Sequence, residues 1–199
     1  MRLFVGIPLA DAVIRELAAV VSRLRSPALD RKLPPGGLRW TAPESWHITL
    51  QFLGETPPQR YECLAARLGE VRAAPVAVQL GELGFFDRAG VFYVDTSLTQ
   101  GLVALEQRVI EATSKCGFVA ETRPFHPHIT LARVKGQGRS ADLRKLRDKI
   151  RSQPAFTRFT AREFLLYQSH LGPRGAKYEV KARFGLTKDS DQQSVVSCQ

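Results

Sequence analysis

The stretch PESWHITLQFLGE, residues 43–55, contains the tetrapeptide HITL, and the same four letters return inside RPFHPHITLARVKG, residues 123–136. The chain has four histidines, and two of them, His47 and His128, head these copies. Side chains alternate faces along a β-strand, so each histidine shares a face with its threonine while isoleucine and leucine share the other. His47 with Thr49, and His128 with Thr130, are thus polar pairs backed by core. One such pair is most simply a hydrogen-bonded strand feature. Two in matching settings predict equivalent strands meeting in one cleft.

Around these strands the periodicity predicts alternating elements. LFVGIPL (3–9) is β-rich, and DAVIRELAAVVSRLR, opened by Asp11, has apolar residues at 13, 14, 17, 20, 21 and 24, one helical stripe. SPALDRKLPPGG (26–37) is turn-rich, LRW (38–40) a short strand, and WHITLQFLG (46–54) a longer one interrupted near Gly54. A helix is predicted from Pro57 and Pro58 to about Arg72. VAVQLGEL and VFYVDT, joined by a turn at Asp87 to Gly90, read as a hairpin. A helix over 98–117 stops at Gly117. The order then repeats: strand HITLARV (128–134), glycine-rich loop, helix 140–152, and strands near 155–168 and 177–184. Residues 1–186 form one bilobed domain in this reading, and 187–199 a polar, flexible tail.

The composition suits a globular protein: 199 residues, 44% hydrophobic and 24% charged. Cys63, Cys116 and Cys198 are widely spaced and odd in number, so neither a disulfide framework nor a zinc site is expected, and a reducing cytoplasm is. The N-terminus lacks a signal-peptide pattern, and no apolar run approaches a membrane span. The net charge of +10 favours polyanionic partners. A phosphate suits a cleft with two imidazoles and two hydroxyls. One imidazole can take a proton from water and the other can give one to the departing oxygen, without a metal or other cofactor.

RLFVGIPL, PESWHITLQFLGE, RPFHPHITLAR and LLYQSHLGPRGAKYEV together resemble the two-histidine (2H) phosphoesterases and, within them, RNA 2′,3′-cyclic phosphodiesterases of the LigT/ThpR type. The resemblance implies an α+β fold of two pseudo-symmetric lobes, each an antiparallel sheet with outer helices, around a central cleft. It implies hydrolysis of a 2′,3′-cyclic phosphate at an RNA terminus to a 2′-phosphate, with His47 as proton donor, His128 as proton acceptor, and Thr49 and Thr130 on the phosphate. The expected partners are RNA ends, tRNA fragments among them, and small cyclic nucleotides; a monomer is expected. The alternatives are 2′,5′ RNA ligation by the reverse reaction and a non-catalytic RNA- or nucleotide-binding module.

Arg133, in the family's HITLAR run, is a candidate phosphate contact. Strict alternation puts it on the core-facing series 129, 131, 133 unless the strand bulges. His126 makes HPH with His128, but without further ligands it reads as a supporting residue rather than a metal ligand. Phe52, Trp46, Phe125 and Tyr167 are candidates for stacking on a base, and His170 and Tyr178 for lining the cleft.

Overall fold

The computed structural model describes residues 1–25, 38–134, 146–147, 150, 153–172 and 175–187. The expected connector 26–37, glycine-rich loop, most of helix 140–152 and the tail beyond 187 lie outside them. Among the described residues, the α-helices α1 (Asp11–Leu24), α2 (Pro58–Gly69) and α3 (Gln100–Ser114) are set against ten strands. These are β1 (Arg2–Pro8), β2 (Leu38–Trp40), β3 (His47–Glu55), β4 (Val76–Val78), β5 (Leu80–Phe86), β6 (Val91–Thr96), β7 (His128–Val134), β8 (Phe159–Ala161), β9 (Glu163–Gly172) and β10 (Gly175–Gly185).

Two four-stranded antiparallel sheets form the frame, in the orders β10-β9-β1-β3 and β2-β7-β6-β5. Each contains one HITL strand, and β3 and β7 approach one another. The apolar stripe of α1 is buried at Val13, Leu17, Val20, Val21 and Leu24, as its period predicts. Thr99 caps α3 by accepting from the Leu102 amide, and Gly117, at φ 80°, ends the short segment after the helix.

VAVQLGEL is not one strand. Val76–Val78 pairs with β8 in a separate two-stranded sheet, while Leu80–Phe86 forms the hairpin with β6. Local alternation cannot reveal this division, because the partner β8 is supplied some 80 residues downstream.

The cysteine expectation is corrected. Cys63 on α2 and Cys116 just beyond α3 are joined by a disulfide, with Cα atoms 5.8 Å apart. They are 53 residues apart in sequence, but α2 packs on α3 and brings them together. Cysteine usage therefore no longer argues for a reducing compartment. No helix among the described residues is long and apolar enough to cross a membrane.

Candidate active site

The two HITL strands share one backbone device. In β3, Gly6 pairs with Thr49 and Val5 with Gln51, so Leu50 has no opposite residue; in β7, Tyr93 pairs with Thr130 and Phe92 with Ala132, so Leu131 has none. Each is a β-bulge at the fourth residue of the motif, and it reverses the facing of the residues beyond it. Both strands accordingly read part-exposed, buried, part-exposed, buried, buried, exposed, buried from the histidine onward. Phe52 and Arg133 thereby join the face of the histidines and threonines. Strict alternation would have sent Arg133 to the core; the bulge is why it does not go there.

The imidazoles are held alike. His47 Nδ1–H donates to the Ser45 carbonyl at 2.8 Å, and His128 Nδ1–H to the His126 carbonyl at 2.8 Å. A carbonyl only accepts, so this contact fixes the proton of the neutral ring on Nδ1 and leaves Nε2 as the acceptor nitrogen. His47 lies among rings: Phe4 at 4.6 Å, Tyr178 edge-on at 5.0 Å and Tyr167 at 5.6 Å. Room for it depends on Gly6, where a Cβ would come 2.9 Å from the Ile48 carbonyl oxygen and 3.4 Å from His47 Cδ2. His128 meets Phe86 at 5.0 Å and Tyr93 at 5.4 Å.

Burial is the main force on both histidines. It drives His47 down to about 4, against the opposing pull of the Ser45 carbonyl and with added repulsion from His128 and Arg133. His128 is also lowered, mainly by burial and also by the charges of His126 and Arg133, while the His126 carbonyl and Asp95 oppose the shift. The charge of His128 is thus felt at His47, and that of Arg133 at both histidines and at Tyr178. These groups share one electrostatic neighbourhood.

The remaining sequence candidates separate. Phe52 is 67% exposed and its ring lies 6.1 Å from Phe4. Tyr167 stacks on Phe4 at 4.9 Å, and burial raises its hydroxyl to about 12; Tyr178 is raised by the same cause. Trp46 is buried in the main core, Phe125 packs against that core, and His170 pairs with Glu179 at 2.9 Å. His126 Nε2 contacts Asp95 Oδ1 at 3.0 Å, and among the described residues no group of three or more metal-ligating side chains gathers. Phe4, Gly6, Phe86, Tyr93 and Asp95 were missed in the sequence. Alternation in RLFVGIP puts Phe4 and Gly6 on one face, and in VFYVDT it does so for Tyr93 and Asp95, but which face meets the cleft depends on pairing.

Two antiparallel sheets, each carrying one HITL strand, define an α+β protein with two matched histidine motifs in one neighbourhood. Residues 11–173 match the model of the 2′-5′ RNA ligase superfamily, and the chain belongs to that superfamily. It is 35% identical, over 92% of its length, to an RNA 2′,3′-cyclic phosphodiesterase of Geobacillus stearothermophilus, and spans 56% of that relative. An RNA 2′,3′-cyclic phosphodiesterase of Archaeoglobus fulgidus is 29% identical over 90% of this chain and 97% of its own. A crystal structure of E. coli LigT complexed with 3′-AMP aligns with TM-score 0.75 at 25% identity, over 94% of this chain and 98% of that one.

Proposed function

We propose that this protein is an RNA 2′,3′-cyclic phosphodiesterase that opens a terminal cyclic phosphate to a 2′-phosphate. The observation that carries the reading is the pair of identically tethered imidazoles, each with a threonine and with Arg133 in the same electrostatic neighbourhood. Superfamily membership and the relatives' activity support it.

The cyclic diester already holds its leaving oxygen in place, so the protein has only to orient water and manage two protons. Thr49, Thr130 and Arg133 hold the phosphate oxygens. His128 Nε2 takes a proton from water as the water oxygen bonds to phosphorus. The P–O3′ bond breaks, and His47 Nε2–H protonates O3′. The acid starts protonated, although burial alone favours the neutral ring at His47; the bound phosphodiester anion supplies the opposite charge that restores the proton. The Nδ1 tethers keep both rings aligned through the exchange. Phe52, on the same face, offers an exposed ring to the terminal base.

One observation favours exchanged roles. His47 is the more strongly desolvated ring, whereas Asp95 helps His128 hold a proton. The two assignments part on a substrate whose leaving group departs without protonation. With the native substrate, in EDTA, His47→Ala and His128→Ala each lose about 10²–10⁴-fold in rate. The activated substrate restores only the variant lacking the acid: His47→Ala in the first assignment, His128→Ala in the exchanged one. Full activity in either alanine variant ends the two-histidine mechanism, and binding of a 2′,3′-cyclic nucleotide by the wild type without turnover ends the enzymatic reading.

A further inference from the structure

The two imidazoles have matching tethers but different second neighbours. Opposite His47, across the β1–β3 pairing, stands Pro8, which has no charge. Opposite His128, across the β6–β7 pairing, stands Asp95. The Asp95 carboxylate is fixed twice: Oδ1 accepts from the Thr96 amide at 2.9 Å and meets His126 Nε2 at 3.0 Å. The backbone carbonyl of that same His126 receives His128 Nδ1–H. Thr96 N–H also donates to the Pro127 carbonyl at 3.1 Å, so both residues preceding His128 are anchored to the end of β6. The His126 ring is braced edge-on by Phe86 at 5.1 Å and by Tyr93 at 5.5 Å.

We infer that Asp95 and His126 form a positioning pair for His128: Asp95 anchors the His126 ring, the His126 carbonyl orients the His128 imidazole, and the Asp95 carboxylate is the counter-charge for the imidazolium that forms when His128 takes a proton. This rests on the reading that His128 exchanges a proton during the reaction. The arrangement resembles an orienting carboxylate behind a catalytic imidazole, with a peptide carbonyl interposed between them. It gives the HPH sequence a function without a metal, and among the described residues it has no counterpart at His47, whose tether is the Ser45 carbonyl. Among the described residues, the charged and titratable groups facing His128 are His126 on its own segment, Asp95 and Tyr93 on β6, Arg133 further along β7, and His47 on β3. Asp95 is the anion among them.

The test pairs an NMR titration of His128 with steady-state kinetics on a 2′,3′-cyclic nucleotide, using the full chain. Removing the anion in Asp95→Asn lowers the His128 pKa by about half a pH unit or more. It cuts kcat roughly 3- to 10-fold with KM little changed, because the proton acceptor is weakened and less well aligned. His126→Ala keeps the carbonyl but removes the ring that shares the charge of Asp95, so the pKa stays level or rises while kcat still falls. Asp95→Glu recovers part of the loss. A merely structural Asp95 would move the folding midpoint of both variants and leave the His128 titration of the folded protein in place, which overturns the inference. If the wild type turns over no cyclic nucleotide, the functional reading fails, while the titration still judges the charge coupling. A His128 pKa unmoved in Asp95→Asn refutes that coupling whether or not the protein is an enzyme.

Discussion

The first and second HITL strands have the same four residues, the same tether and the same bulge, yet the surroundings of the two histidines differ in kind. Both feel the charge of Arg133, but His47 is set in a ring-lined recess of Phe4, Tyr167 and Tyr178, whereas His128 has Asp95 and His126 nearby in addition to Phe86 and Tyr93. Geometry is therefore duplicated while electrostatics is divided. A general acid and a general base must hold opposite protonation states at one pH, and two histidines in identical surroundings could not be biased apart. The four repeated letters set the alignment; unrepeated neighbours set the charge.

The largest expected consequence is in stability against pH. His47 falls from an ordinary 6.5 in the unfolded chain to about 4 in the fold. Between those values the unfolded chain binds more protons, so stability rises with pH across this window and levels off above it. At about 1.4 kcal/mol per pH unit, the loss on acidification reaches up to about 3 kcal/mol. His128 shifts in the same direction and adds to it. Urea unfolding of His47→Gln between pH 4 and 7.5 gives a flatter profile than the wild type, and His128→Gln an intermediate one. Equal flattening would break the asymmetry claimed for the two recesses, and no flattening would remove desolvation as its cause.

A smaller effect separates Phe52 from Arg133, which occupy the same place, five residues beyond the histidine, in the two strands. In the roles proposed for them, Arg133→Met removes a charge-assisted contact to the phosphate worth about 1.5–3 kcal/mol. It raises KM for every cyclic substrate and weakens inhibition by inorganic phosphate. It also lets both histidine pKa values rise, since Arg133 lowers each. Phe52→Ala loses about 1–3 kcal/mol of stacking, graded with the base and absent for inorganic phosphate. Phosphate inhibition that responds to Phe52 and not to Arg133 would reverse the division of labour proposed for these positions.

Legibility in the sequence tracks the range of the physics that decides each feature. HITL on a strand, the stripe of α1 and the stop at Gly117 are set within a few residues, so periodicity and backbone preference disclosed them. The family resemblance pointed correctly to the α+β architecture and to the superfamily. The bulges at Leu50 and Leu131 were not legible, because an unpaired residue exists only relative to β1 or β6. That hid the facing of Arg133 and gave Phe52 no more weight than Trp46, which is buried in the core. The Cys63–Cys116 bridge was missed for a similar reason: α2 and α3 become neighbours only when both pack. Asp95 was passed over because an aspartate at the end of a strand carries no signal until its partners are known.

Gly6 and Gly84 provide the finest comparison, because both lie against rings beside the histidines. A Cβ at Gly6 meets the Ile48 carbonyl oxygen at 2.9 Å, then His47 Cδ2 at 3.4 Å and Tyr167 Cε2 at 3.5 Å. The nearest obstacle is backbone of the motif strand itself, so relief requires β3 to shift and His47 to move with it. A Cβ at Gly84 meets Tyr93 Cζ at 2.6 Å and its hydroxyl at 2.7 Å. The overlap is closer, but it falls on the far end of a side chain that can swing away without moving β7. Overpacking of this kind costs about 1–3 kcal/mol when the surroundings cannot yield. Gly6→Ala should therefore lose roughly 10-fold in kcat with a lowered unfolding midpoint. Gly84→Ala should change kcat about 2-fold or less despite the shorter distance. Thermal unfolding and kinetics on the two variants decide between steric severity and steric rigidity: a larger catalytic loss at Gly84 would mean that Tyr93 cannot move, and that the second recess is as rigidly built as the first.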